Sequence, residues 1–436
     1  MTHGSHVERS LTVEGLTRVE GGGSLRVRAR DGVVTDVALD IFEPPRYFEA
    51  LLVGRHLSEA PDITARICGI CPVAYQMSAC AAMEDACGVV PDERVRALRR
   101  LLYCGEWIQS HALHVYLLHA PDFLGCGDAV ELAEREPKAV RRGLELKRTG
   151  NRLMEAIGGR AIHPVNVRVG GFFSAPDPEV IAALTDPLRR ARDAAVETVE
   201  WVSGFDFPDV TADYRFVALR QPGVYPIEGG RPCSSDGLDL TPGEFAAEVE
   251  EEQVERSTAL HARLRGRGPY LTGPLARYAL NSDVLPPLAA EAAARAGLGP
   301  VCRNPFQSIV VRAVELVFAC DEALTLAGSY DPPDPPAAAV EARPLPASGT
   351  GATEAPRGLL FHTYDIGPDG LIRRARIVPP TSQNQTVIEE DLRRVAQASL
   401  PLGDDGLRHR CEQAVRNHDP CISCAAHFLD VEVQGS

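Results

Sequence analysis

The sequence predicts an α+β fold, predominantly helical, in which a bundle of long helices forms the core and antiparallel β-hairpins lie at the periphery. Three observations predict it. Several long stretches carry apolar residues at helical spacing. Short alternating runs flank turn residues. Two Cys-x-x-Cys pairs, Cys68/Cys71 and Cys421/Cys424, stand near opposite ends of the 436 residues. If the two pairs meet at one ion, nearly the whole chain, 1–436, folds between them as a single domain.

The elements follow in order. Residues 24–30 alternate apolar and basic side chains, Asp31-Gly32 tolerates positive φ, and 33–39 alternates again, so the pair reads as a hairpin. The apolar run 77–86 reads as a buried helix, and Pro91-Asp92 opens a long helical pattern over 93–119. Further helices are expected over 137–157, stopped by Gly158-Gly159, and over 177–202, 242–264, 286–296 and 305–327. Residues 331–353 are rich in Pro and Ala and lack periodicity, the signature of an exposed loop. A second hairpin is expected from 358–364 and 371–378 around Pro368-Asp369-Gly370, followed by helices over 387–399 and 405–417.

Composition narrows the function. Hydrophobic residues make up 44% and charged residues 24%, enough for a large core in a soluble protein. The net charge of −15, with no long Lys/Arg run, argues against nucleic acid or an anionic membrane as partner. The polar residues 1–10 lack the apolar core of a secretory signal, and Arg312 and Glu315 interrupt the apolar run 308–319, so no membrane span is expected. A cytoplasmic location follows as the expectation, with the twelve cysteines reduced or metal-bound.

Two Cys-x-x-Cys loops can turn four thiolates toward one centre. By chemistry alone that centre is open to a structural zinc or a redox pair. Zinc ligands cluster within small modules, however, whereas these span the chain and are accompanied by Arg66, Asp419 and His427.

Arg66-Ile-Cys-Gly-Ile-Cys71 and Asp419-Pro-Cys-Ile-Ser-Cys-Ala-Ala-His427 resemble the two signature motifs of the large subunit of nickel–iron hydrogenases. Intermediate motifs resemble the family in the same order: Thr17-Arg-Val-Glu-Gly21, Arg46-Tyr-Phe-Glu49, Ser110-His-Ala-Leu-His114 with Asp122, His163-Pro164 with Gly170-Gly171, Glu354-Ala-Pro-Arg-Gly358 with His362, and Pro380-Thr-Ser-Gln-Asn384. Gly22 and Tyr75 depart from the commonest pattern, where histidine is frequent. The context around Cys71 resembles the cytoplasmic, bidirectional NAD(P)-linked branch.

The resemblance implies a catalytic subunit that cleaves dihydrogen reversibly at a nickel–iron centre whose iron carries carbon monoxide and cyanide. Cys68 and Cys421 would be terminal nickel ligands, and Cys71 and Cys424 would bridge to iron; soft thiolates suit both metals. Cys421 would accept the proton and Glu20 would relay it. Arg357, held by Asp122, would lie over the open metal position, while Pro356 and Thr381 would line the iron ligands. Glu49 and His427 would hold a magnesium ion. Residues 428–436 would be a tail removed after nickel insertion, which brings in a maturation endopeptidase and nickel-insertion proteins. With no nucleotide loop and no further cysteine cluster here, electrons would pass to an iron–sulfur small subunit, then to flavin- and NAD(P)-binding subunits. The other implied class is a hydrogen-sensing or non-turnover subunit with the same site.

Overall fold

The computed structural model describes residues 8–44, 46–338 and 347–426. The chain opens on an antiparallel sheet of β1 (Glu8–Val13), β2 (Gly23–Arg30) and β3 (Val33–Ile41). β2 and β3 are the expected hairpin, and its turn residues Asp31 and Gly32 have φ of 52° and 80°. β1 adds an edge strand that the alternation pattern did not announce.

Pro72 starts α1 (Pro72–Cys87) directly after Cys71, and left-handed Gly88 stops it. Asp92 caps α2 (Glu93–Leu113) by accepting the Val95 N–H at 2.8 Å. The helix expected to reach residue 119 changes to a π turn over His114–His119. The physical reason is Pro121, which has no N–H and crowds the carbonyl four residues earlier. α3 (Pro137–Gly158) ends as expected. The 177–202 helix is broken into Pro178–Ala182 and α4 (Thr185–Ser203), with Pro187 unable to continue the ladder.

The helix expected over 242–264 is not one. Pro242–Glu248 is helical, but Val249–Gln253 and Leu260–Leu264 pair as antiparallel strands. Three consecutive glutamates favour a helix by propensity. In the strand, Glu250 meets Arg263 and Arg265 across the ladder while Val249, Ala262 and Leu264 bury beside Phe245 and Phe361. Tertiary burial decides the conformation.

Helix α5 (Pro274–Asn281), the helix Pro287–Arg295 and α6 (Ser308–Gly328) follow. A second antiparallel sheet holds β4 (Ala347–Ala355), β5 (Gly358–Ile366) and β6 (Ile372–Val378). β5 and β6 are the expected second hairpin, but β4 corrects the loop expected over 331–353: residues 347–353 are strand. The small residues that looked like loop are there for close packing, since a Cβ at Gly351 would meet the backbone of Ser78 in α1 at 2.5 Å. α7 (Pro380–Ser399) starts earlier than its apolar pattern, and α8 (Gly403–Arg416) leads to the second cysteine pair.

The bundle of α2, α3, α4 and α6 forms the core, with α1 and the β4–β6 sheet against it. The β1–β3 sheet buries Leu11, Leu25 and Leu39 on Ile388 and Leu392 of α7 and Val415 of α8. No helix among the described residues is long and apolar enough to cross a membrane.

Candidate metal centre

The two cysteine pairs meet. Cys68, Cys71, Cys421 and Cys424 are all buried, and their sulfurs lie within 4.8 Å of one another. They are the one such cluster among the described residues. Cys68 Sγ lies 3.7 Å from Cys421 Sγ across 353 positions of chain. The first loop is shaped by its own backbone: the N–H groups of Ile70 and Cys71 both donate to Cys68 Sγ at 3.3 Å.

Around the thiols stand most of the residues expected from the sequence. Glu20 Oε2 lies 3.1 Å from Cys421 Sγ and accepts the Ser423 N–H at 3.1 Å, while its carbonyl accepts the Ile422 N–H at 2.9 Å. Thr381 Oγ1 accepts the Cys421 N–H at 2.9 Å, which leaves its own hydrogen to donate elsewhere. Glu49 accepts the Ile377 N–H at 2.6 Å and lines a small cavity with Arg46, Ser423 and Cys424. Burial pushes its carboxyl up to about 7. His427 and residues 428–436 lie outside the described residues.

One expected pairing is wrong. Asp122 does not hold Arg357. Both of its oxygens take Arg416, at 2.7 and 2.9 Å, and Oδ1 also takes Arg18 at 2.5 Å. Arg357 instead donates to the carbonyl and carboxylate of Asp419, at 2.8 and 3.1 Å. The left-handed φ of 50° at Asp419 turns the carbonyl and side chain of one residue toward the same guanidinium. No sequence spacing encodes that choice.

The sequence reading also missed Glu106. This fully buried carboxylate on α2 accepts the N–H groups of Val73 and Ala74, at 2.6 and 3.1 Å, at the start of the helix that follows Cys71. Burial pushes it well above the usual carboxylate range. On the same helix, Gln109 donates to the Ile70 carbonyl at 2.5 Å and Trp107 Nε1 donates to the Glu354 carbonyl at 3.0 Å. A lone acid inside the apolar run Leu101-Leu-Tyr-Cys-Gly-Glu-Trp107 was the available signal.

The donor set fits soft metal ions. The four thiols share charge unevenly: hydrogen bonds from Cys421, Cys424 and Cys71 hold Cys68 well below its ordinary value, while Cys421, through its bonds with Cys424 and Cys68, rises well above. A metal is the natural counter-charge for several thiolates at this spacing. Arg357 is buried, which works against its charge, but Asp419 first and then the negative charge shared among the cysteine sulfurs outweigh that and keep it charged. Its Nη1 is buried and has no hydrogen-bond partner among the described residues, so it can serve a ligand at the centre.

Fold and site thus define a metalloprotein in which both ends of one chain close on a buried four-thiolate centre. The nickel-dependent hydrogenase family matches over residues 46–143. The chain is 33% identical over 421 residues to the alpha subunit of sulfhydrogenase 1 from Pyrococcus furiosus, covering 96% of this chain and 98% of that one. It is 28% identical to the beta subunit of the NAD-reducing hydrogenase HoxS of Cupriavidus necator, with 97% and 96% covered. Its fold matches an NAD+-reducing nickel–iron hydrogenase solved in the hydrogen-reduced state, at TM-score 0.85, 27% identity and 96% and 99% coverage. The chain belongs to the nickel–iron hydrogenase large-subunit family.

Proposed function

We propose that this chain is the catalytic large subunit of a nickel–iron hydrogenase, cleaving dihydrogen reversibly to protons and electrons. The observation that carries the reading is the closure of four buried thiols from opposite ends of the chain, with Glu20 within hydrogen-bond reach of one of them. A nickel–iron centre on Cys68, Cys71, Cys421 and Cys424 would supply the electrophilic, redox-active pair that polarises dihydrogen.

The chain's own residues handle the proton. Cys421 Sγ would serve as the base, and Glu20 Oε2, 3.1 Å from it, would take the proton onward. The Ser423 N–H fixes that carboxylate oxygen in place. The Arg357 guanidinium, anchored by Asp419 through Nε and Nη2, lends positive charge and leaves both N–H groups of Nη1 for a ligand at the centre. The Thr381 hydroxyl, which accepts the Cys421 N–H, would have its proton available to donate to an iron ligand, and Pro356 would line the same ligands. Glu49, with the Arg46 and Ser423 cavity, suits a hard cation such as magnesium, for which His427 is the further proposed ligand.

Two electrons must leave, and the chain holds no second cysteine cluster among the described residues. An iron–sulfur small subunit is therefore part of the proposal, with flavin subunits and NAD(P) as acceptor on the strength of the NAD-reducing relatives. Removal of residues 428–436 during maturation, a single domain over 1–436 and a cytoplasmic setting belong to the same reading.

Infrared spectroscopy of the complex from its native host, under argon and then under hydrogen, tests it. Bands of metal-bound carbon monoxide and cyanide that shift with hydrogen are expected. Their absence from a complex with its partner bound would leave a plain four-thiolate site and overturn the proposal.

A further inference from the structure

Behind the turn that carries Pro356 and Arg357 lies a second guanidinium with no part in the reaction described above. Arg277 on α5 is fully buried. Its Nε and Nη2 donate to the two oxygens of Glu315, both at 2.7 Å, and Nη1 donates to Glu354 Oε2 at 3.1 Å. The two remaining N–H groups donate to consecutive main-chain carbonyls, Ala355 at 2.8 Å and Pro356 at 2.9 Å. All five donors of the guanidinium are thereby used.

Trp107 completes the cradle. Its ring lies 4.5 Å from the guanidinium carbon of Arg277, and its Nε1 donates to the carbonyl of Glu354 at 3.0 Å. Three successive carbonyls, 354 to 356, thus each receive a donor from this pair, and the next residue is Arg357. The start of α5 closes on Arg357 from the other side. Gly273, whose carbonyl takes the Arg277 N–H at 2.8 Å, sits so near that a Cβ there would lie 2.7 Å from the Arg357 carbonyl oxygen. Neutralising a buried arginine needs only one carboxylate, which Glu315 already supplies. The donors directed at the two carbonyls just before Arg357 go beyond that need.

We infer that Arg277 is a positioning residue for Arg357: by clamping the 355 and 356 carbonyls, with Trp107 on the 354 carbonyl, it holds the Arg357 guanidinium between Asp419 and the cysteine sulfurs. The geometry stands on its own, while the consequence for turnover rests on the proposed metal centre.

The test is Arg277→Lys in the complete complex, alone and combined with Arg357→Lys. An ammonium has three N–H groups and no planar fork, so it cannot serve two carboxylates and two carbonyls together. A crystal structure of the single variant should find the Arg357 guanidinium displaced from Asp419. Nickel and iron contents should match wild type, kcat should fall about 10–100-fold, and KM for hydrogen should stay nearly unchanged. Adding Arg277→Lys to Arg357→Lys should cause no further loss. An unmoved Arg357, or losses that simply multiply in the double variant, would overturn the inference. Should Arg277→Lys fail to fold, Trp107→Phe keeps the aromatic face and removes only the Nε1–H. An undisplaced Arg357 with unchanged infrared bands in that variant would be equally fatal. Failure of the hydrogenase reading itself would show in the wild type, as missing hydrogen-responsive bands, and would leave the crystallographic readout intact.

Discussion

The two cysteine loops reach the same centre by different means. The Cys68–Cys71 loop is built largely from neighbours in sequence and from one helix: its own N–H groups bond Cys68, Pro72 starts α1, and Glu106 and Gln109 of α2 secure it. The Cys421–Cys424 loop is tethered residue by residue to distant parts of the chain. Arg416 binds Asp122, and its carbonyl lies 2.9 Å from His114 Nε2. The Asn417 carbonyl takes Ser308 and Arg312, His418 meets Asp391 at 2.9 Å, and Asp419 meets Arg357. The first loop is a local motif supported by a helix, whereas the second is held in place by the whole fold. A perturbation far away in sequence should therefore reach the centre through the second loop first.

That asymmetry can be broken or sharpened experimentally. The largest effect is expected at Glu20, which hydrogen-bonds Ile422 and Ser423 of the second loop and lies against Cys421. Glu20→Gln should lower hydrogen turnover by about 10²–10⁴-fold with nickel content unchanged, as for loss of a proton-transfer group; metal loss instead would make Glu20 a mere brace. Asp122→Ala should come next. It leaves Arg18 without its carboxylate and Arg416 with Glu412 alone, and should lower stability by about 3–5 kcal/mol in thermal or denaturant unfolding, with nickel uptake impaired. Glu106→Gln should cost less, about 1–3 kcal/mol, because the amide oxygen can still accept one of the two helix N–H groups. If Glu106→Gln proves the more damaging of the two, the first loop is the less self-sufficient and the comparison is reversed.

The smallest effect concerns pH. His362 is fully buried, and burial lowers its folded-state pKa from 6.5 to about 3. The unfolded chain therefore takes up this proton first as pH falls. The stability contributed by neutral His362 is complete above pH 6.5 and is lost progressively between 6.5 and about 3. In His362→Gln, the dependence of unfolding free energy on pH across that window should be shallower by one proton. An unchanged slope would mean that His362 is already protonated in the fold.

Much of the site could be read in advance. The two cysteine pairs meet, and Glu20 and Thr381 each lie within hydrogen-bond reach of Cys421. The helix signals held where the physics is local: Asp92 opens a helix and Gly159 closes one, as read from the sequence. Two readings failed for one shared reason. Residues 249–264 have helical composition and 347–353 have loop composition, yet both became strands because burial against other elements outweighed local preference.

The sequence by itself thus determined the chemistry. Thiolates in two Cys-x-x-Cys pairs, capping residues and turn residues act within a few positions of one another, and that range is legible in a linear text. Only the tertiary structure decided which charges pair. Asp122 took Arg416 and Arg18, Arg357 took Asp419, and Arg277 settled behind Pro356, because a buried ion selects its partner by distance and desolvation.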